Sequence, residues 1–263
     1  MKVISISNHK GGVGKTSSVL NIGHFLSKTH RVLLIDLDSQ ANLTFSLTGG
    51  EAIEGQTIYE ALKGQAERLP LYEYHTIEYD EAGANIKVPF HYVPSCLDLS
   101  GAELELSTQA GAQCILRELI EKEKGNFDIV LIDCPPSLSL LTVNAFTASD
   151  FILIPTQAEA YAVQGLSKLL EVVSLIQRRL NSKLKEPLFL ITQYDKRKVL
   201  HRQVTEALRE RFGNRVFSET IRSNISIAEA QAKGETLSEY APKSKGAEDY
   251  NRLTEELKKH IGA

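Results

Sequence analysis

The chain is poor in several residue types, and each shortage excludes something. It has 263 residues, no tryptophan, one methionine and three cysteines. Cys96, Cys114 and Cys134 have no metal-like spacing, and an odd count of so few thiols suits a reducing compartment rather than a disulfide framework. No apolar run reaches the roughly 18 residues that a membrane-spanning helix needs. There are no internal repeats, low-complexity tracts or linkers. The chain enters a β-branched run at Lys2, which leaves no room for a signal peptide before it. What remains is ordinary: 42% hydrophobic and 24% charged residues, the proportions of a soluble globular protein. The expectation is one α/β domain over residues 1–263.

The organising stretch is residues 2–20. A short strand-like run gives way to Lys10-Gly11-Gly12-Val13-Gly14-Lys15-Thr16, followed by apolar residues at helical spacing. Strand, glycine turn and helix in that order are the context of a phosphate-binding P-loop. Glycine lets the backbone curl so that successive N–H groups face phosphate oxygens, and the helix start adds its positive dipole end. Lys15 then reaches the β/γ-phosphates and Thr16 holds Mg²⁺. A glycine-rich turn can also be a mere tight connection, but seven specified positions in this context leave that alternative little room.

His9 stands where an ordinary P-loop has its first glycine, and a second lysine, Lys10, precedes the glycines instead. These residues resemble the deviant Walker A ATPases typified by ParA, Soj and MinD, with the pattern K-G-G-x-G-K-[ST]. The resemblance implies a doubly wound, mostly parallel sheet flanked by helices, a P-loop NTPase of the deviant Walker A type. It implies ATP and Mg²⁺ as ligands, with Lys10, Gly11, Gly12, Val13, Gly14, Lys15, Thr16 and Ser17 around the phosphates. Lys10 is then the signature lysine that crosses a nucleotide-sandwich homodimer. The paired cysteines that iron–sulfur relatives of this class need are missing.

Two further apolar runs end in aspartate, at Asp36 and Asp133. Strands of a doubly wound sheet deliver such residues to the ligand side. Asp133 occupies a Walker B position, binding Mg²⁺ through water or positioning Thr16, and Pro135-Pro136 stiffen the loop after it. By resemblance, Asp36 supports the Mg²⁺ region and Asp38 orients the attacking water, with Ser39 in place of the family's proline. An aspartate ending a strand can also be no more than an N-cap for the next segment.

Elsewhere a short helix is expected at Ile58–Leu62, an irregular polar excursion from Tyr72 to Val88 around Gly83, and a strand over 90–95 closed by Pro94. Helices are expected over 109–124, 158–180 and 246–261, and strands over 150–156 and 187–192. Gln193 and Asp195 fall where the resembled family has its adenine-side contact.

Residues 196–260 carry a net charge of +4 and the rest of the chain −7. Solvated helix faces account for this as readily as a polyanion-binding surface does. The tail adds Thr220–Ala230 and Pro242–Ala247, both similar to ParA stretches. Arg222 is displaced by one residue from the family's arginine, and Lys243 and Lys245 replace its two cations. These three are the candidate DNA contacts, with loop lysines that only solubilise as the alternative. Two functions compete: a cytoplasmic, nucleoid-associated partition ATPase that binds DNA non-specifically and answers to a ParB-like partner, or a MinD-like or cargo-positioning ATPase. The mixed charges of the last helix argue for no membrane anchor.

Overall fold

Val3, Leu33, Ile35, Val130 and Ile132 face one side of a central sheet, and Ile4, Ile6, Val32, Leu34, Ile129 and Leu131 face the other. Both sets are buried, so period-two alternation here produces a sheet covered on both faces. The computed structural model describes residues 1–79, 85–159 and 162–263. Its strands are β1 (Lys2–Ile6), β2 (Val32–Asp36), β3 (Tyr72–Tyr79), β4 (Asn85–Val93), β5 (Ile129–Asp133), β6 (Phe151–Gln157), β7 (Leu188–Tyr194) and β8 (Val216–Arg222). The helices before β6 are α1 (Lys15–Ser27), α2 (Asn42–Thr48), α3 (Ile58–Leu62), α4 (Leu99–Leu106), α5 (Ile115–Glu121) and α6 (Leu140–Ala148). After it come α7 (Ala162–Gly165), α8 (Ser167–Arg179), α9 (Val199–Phe212), α10 (Ile225–Lys233), α11 (Leu237–Tyr240) and α12 (Lys245–Ile261).

The strand order is β3-β4-β2-β5-β1-β6-β7-β8, and every neighbouring pair is parallel except β3 with β4. One core packs α3 to α6, α8 and α9 on one face; the other packs α1, α2 and α10 to α12 on the opposite face. The doubly wound, mostly parallel sheet expected from the sequence is therefore present. β1 lies at the centre, so the loop that leaves it opens at the carboxyl edge of the sheet, where ligands bind in this architecture.

Three local expectations need correction. Most of the excursion over 72–88 is regular: β3 pairs antiparallel with β4, Tyr74 opposite Phe90 and Thr76 opposite Val88. Tyr72, Tyr74 and Thr76 alternate toward the sheet's packed face, while Glu73 and His75 on the other face make the run look polar. Gly83, on which the irregular assignment leaned, lies outside the described residues. The helix expected over 109–124 is confined to α5, and Gly111, at φ +76°, keeps its first turn from starting at 109. Of the helix expected over 158–180, residues 160 and 161 lie outside the described residues, and the rest is two pieces, α7 and α8, parted at Leu166.

Candidate functional site

The loop leaving β1 reaches α1 through Gly12 at φ +70° and Gly14 at φ +86°, both in the region that disfavours a Cβ. Gly14 caps α1 without a side chain, and no acidic residue stands in the first turn. The N–H groups that open this helix are thus left for an anion. Lys15 is buried beside them.

β2 and β5 bring their terminal aspartates side by side, Asp36 in register with Asp133. The Thr16 hydroxyl donates to Asp133 Oδ2 at 2.6 Å. Asp133 Oδ1 is buried with no hydrogen-bond partner. Asp36 Oδ2 accepts from the Thr44 N–H at 2.8 Å and the Thr44 hydroxyl at 2.7 Å. Burial pushes the Asp36 carboxyl up to about 6, against the pull of the Thr44 hydrogen bonds. Burial, then the charge of Asp36, pushes Asp133 well above the usual carboxylate range, with Thr16 and Lys15 offsetting part of it. Asp38 lies just beyond the strand, its Oδ1 accepting the Gln40 N–H at 3.0 Å.

Beside these aspartates opens a cavity of about 600 Å³, lined by Gly11, Gly14, Lys15, Thr16, Asp38 and Gln193, among others. The floor offers N–H donors and an ammonium to phosphates. An unpartnered, buried carboxylate oxygen beside a threonine hydroxyl fits a hard cation that keeps water and phosphate oxygens in its shell. Among the described residues no group of three or more His, Cys, Asp or Glu is spaced to hold a metal unaided.

A family model described as an AAA domain matches residues 1–186. The chain is 40% identical over 257 residues to the sporulation initiation inhibitor protein Soj of Bacillus subtilis, covering 97% of this chain and 98% of that one. It is 41% identical over 255 residues to the chromosome-partitioning ATPase Soj of Thermus thermophilus, covering 97% and 94%. This chain belongs to the Soj/ParA family of partitioning ATPases. Among solved structures, a cobyrinic acid a,c-diamide synthase from Mycobacterium smegmatis with bound ATP analog and magnesium superposes with a TM-score of 0.81 at 33% identity, covering 100% of this chain and 96% of that chain. A putative plasmid partition protein from Borrelia burgdorferi bound to AMPPNP gives 0.78 at 25% identity, with 99% of each chain covered. Such different names on one fold show that the site, not the fold, must carry the functional argument.

For a Soj/ParA-family ATPase, the placement of the remaining expected residues is informative. Gly11, Gly12, Gly14 to Ser17 and Asp38 line the cavity; Val13, Asp36 and Asp133 do not, although Asp133 is joined to it through the Thr16 hydroxyl. Lys10 does not enter the cavity: its ammonium contacts Glu159 and, at 3.3 Å, Gln157 Oε1. Gln193 reaches the cavity wall, but its amide donates to the Gly12 carbonyl at 2.7 Å. Asp195 is absent from the lining and is held by Arg197 at 2.8 Å, which keeps its carboxyl well below the usual range. Lys243 and Lys245 are exposed at the entry to α12, where Ser244 accepts the Ala247 N–H at 3.2 Å.

Arg222 is the largest departure. Its guanidinium is bound by the buried Asp249 and, at 2.9 Å, by Glu248, so it is not a free surface cation. The stretch it belongs to forms a wall of the cavity: Ile221 to Ile225, Ile227 and Ala228 all line it. Sequence reasoning also missed Gln231 on α10, whose Oε1 accepts from the Ser17 hydroxyl at 3.1 Å. A glutamine on a helix, so far along the chain from the P-loop, carries no local signal of that role.

Proposed function

We propose that the chain works as one ATPase domain over 1–263, in which Mg²⁺-ATP drives a cycle of dimerisation and DNA binding. The observation that carries this is the convergence of Lys15, the Thr16–Asp133 pair and Asp38 on one cavity, with Asp133 Oδ1 left unpartnered. Gly11 to Ser17 cradle the phosphates and Lys15 neutralises them. Thr16 would hold Mg²⁺, with Asp133 binding it through water or positioning Thr16 and Asp36 supporting that region. When bound, Mg²⁺ offsets the charge on the phosphate oxygens. Asp38, whose position is fixed at the mouth of β2, orients the attacking water. Intrinsic turnover is slow because this constellation is completed only when a ParB-like partner acts.

Lys10 leaves its Glu159 contact and crosses to the partner's phosphates in an ATP-bound homodimer. The dimer presents Lys243 and Lys245 twice, and counterion release makes affinity for DNA rise steeply with the number of phosphate contacts. Such contacts carry no sequence information, so binding is non-specific and the protein associates with the nucleoid in the cytoplasm. No described helix is long and apolar enough to cross a membrane, and α12 packs Tyr250, Leu253 and Leu257 into the core rather than offering them to lipid.

The test is DNA binding by the purified protein with ATP, ADP or no nucleotide. Binding with ATP alone, falling steeply with salt and lost in Lys243→Ala/Lys245→Ala, is the expected outcome. Equal binding in all three states would remove the ATP-gated cycle.

A further inference from the structure

The loop after β1 has backbone carbonyls as well as N–H groups, and a carbonyl facing a phosphate would repel it. Three of these carbonyls are taken up by side chains. Lys15 Nζ reaches the Lys10 carbonyl at 3.4 Å, and the Thr192 hydroxyl donates to the Val13 carbonyl at 2.9 Å. The Gly12 carbonyl accepts twice, from Gln193 Nε2 at 2.7 Å and from Gln157 Nε2 at 3.2 Å. Two lone pairs on one oxygen are thereby both used.

The two glutamines stand at the carboxyl ends of the adjacent parallel strands β6 and β7. Gln193 adopts φ +52°, a conformation that costs energy for a residue with a Cβ, and the side chain so placed is the one on Gly12. The orientation of the Gln157 amide is set from both ends, because its Oε1 accepts from Lys10 Nζ at 3.3 Å. A trans peptide points its C=O and the next N–H in opposite directions. Holding the Gly12 carbonyl toward the glutamines therefore turns the Val13 N–H the other way.

We infer that Gln157 and Gln193 are positioning residues of the phosphate loop, clamping the Gly12–Val13 peptide so that its N–H is preset for a phosphate oxygen. This rests on reading residues 10–17 as the ATP phosphate cradle. It also gives Gln193 a task distinct from contacting the base. Either amide alone leaves the carbonyl with one donor, so losing both costs more than the two single losses together.

The experiment replaces each glutamine by methionine, which keeps length and shape but removes the N–H donor. Steady-state hydrolysis is measured for Gln157→Met, Gln193→Met and the double variant, with inhibition by inorganic tripolyphosphate, which has no base. The double variant should raise the KM for ATP by about tenfold and weaken tripolyphosphate inhibition in proportion, with a smaller change in kcat and the nucleotide-free melting temperature held. A KM within about twofold of wild type would overturn the clamp. So would a raised KM with tripolyphosphate inhibition unchanged, which would make Gln193 a base contact. So would a raised KM with a lowered nucleotide-free melting temperature, which would make the pair general scaffold. A parallel Lys15→Ala protein separates the two levels: full ATP affinity there would sink the cradle itself, whereas lost affinity there beside a normal double variant sinks only the clamp.

Discussion

The two ends of β5 treat the same side chain in opposite ways. Before its amino end, Asp128 is clasped by Arg31 through Nε at 3.1 Å and a terminal guanidinium nitrogen at 2.7 Å, which holds its carboxyl well below the usual range. Nearby, Asp150 accepts the Val3 N–H at 2.9 Å. At the carboxyl end, Asp133 is buried, one of its oxygens has no partner, and its carboxyl is pushed up. The amino edge of the sheet is satisfied by the chain's own groups. The carboxyl edge keeps desolvated acids and a buried lysine that only a ligand can complete. Stability is spent at one edge to leave a site there.

The largest test of this contrast is chemical. Asp38→Ala should keep ATP binding and lose about 100-fold or more of the hydrolysis rate, since the phosphate cradle does not include it. Phosphate release at the wild-type rate would remove Asp38 from the chemistry. Next is Lys15→Ala, expected to weaken ATP binding by roughly 10- to 100-fold through loss of a charged donor. An unchanged dissociation constant by calorimetry would refute that.

The third test is pH. The Asp36 carboxyl lies at about 6 in the fold against an ordinary value of 3.8, so its contribution to stability is fully present below about 3.8 and is lost as pH rises through 6. Asp133 shifts in the same direction. Asp133→Asn should therefore melt higher than wild type without nucleotide at pH 7, and the difference should shrink as pH falls toward the ordinary carboxylate range. Mg²⁺-ATP should reverse the neutral-pH difference. A variant less stable than wild type at pH 7 without ligand would refute the idea that this carboxylate is unsatisfied.

The smallest effect belongs to the amino edge. Asp128 is held down, so the stability from its pairing is present above the ordinary carboxylate range and lost as pH falls through its lowered value. Arg31→Ala should lower the melting temperature only slightly at pH 7, because both partners are exposed, and the difference should vanish on acidification. Its pH trend would thus run opposite to that of Asp133→Asn. Parallel trends would erase the distinction between the two edges.

Much of the candidate site was legible in the residues because its signals are local. The glycines of the loop, Lys15 and Thr16 sit within one turn of each other, and Asp36 and Asp133 each close an apolar run. The stripe Ala247, Tyr250, Leu253, Leu257 and Ile261 on α12 was equally plain, and all five are buried. The edge pair of strands was not, because the outward-facing Glu73 and His75 hid an alternation that only pairing with β4 makes apparent. Arg222 misled for a related reason. A cation looks the same in sequence whether it is free or paired, and its partners, Asp249 and Glu248, lie on another element.

By itself, then, the sequence determined the elements that arise from short-range pattern: buried parallel strands from period-two and continuous apolar runs, α1 and α12 from helical spacing, and a phosphate loop from glycines that permit positive φ. The tertiary structure alone decided which distant polar side chains meet. It set Gln231 against Ser17, both glutamines on the Gly12 carbonyl, and Arg222 on Asp249 instead of at the surface. The physical reason is that hydrogen bonds and ion pairs join groups with no periodicity of their own. Their partners are chosen by where a twisted sheet and its crossovers happen to bring them.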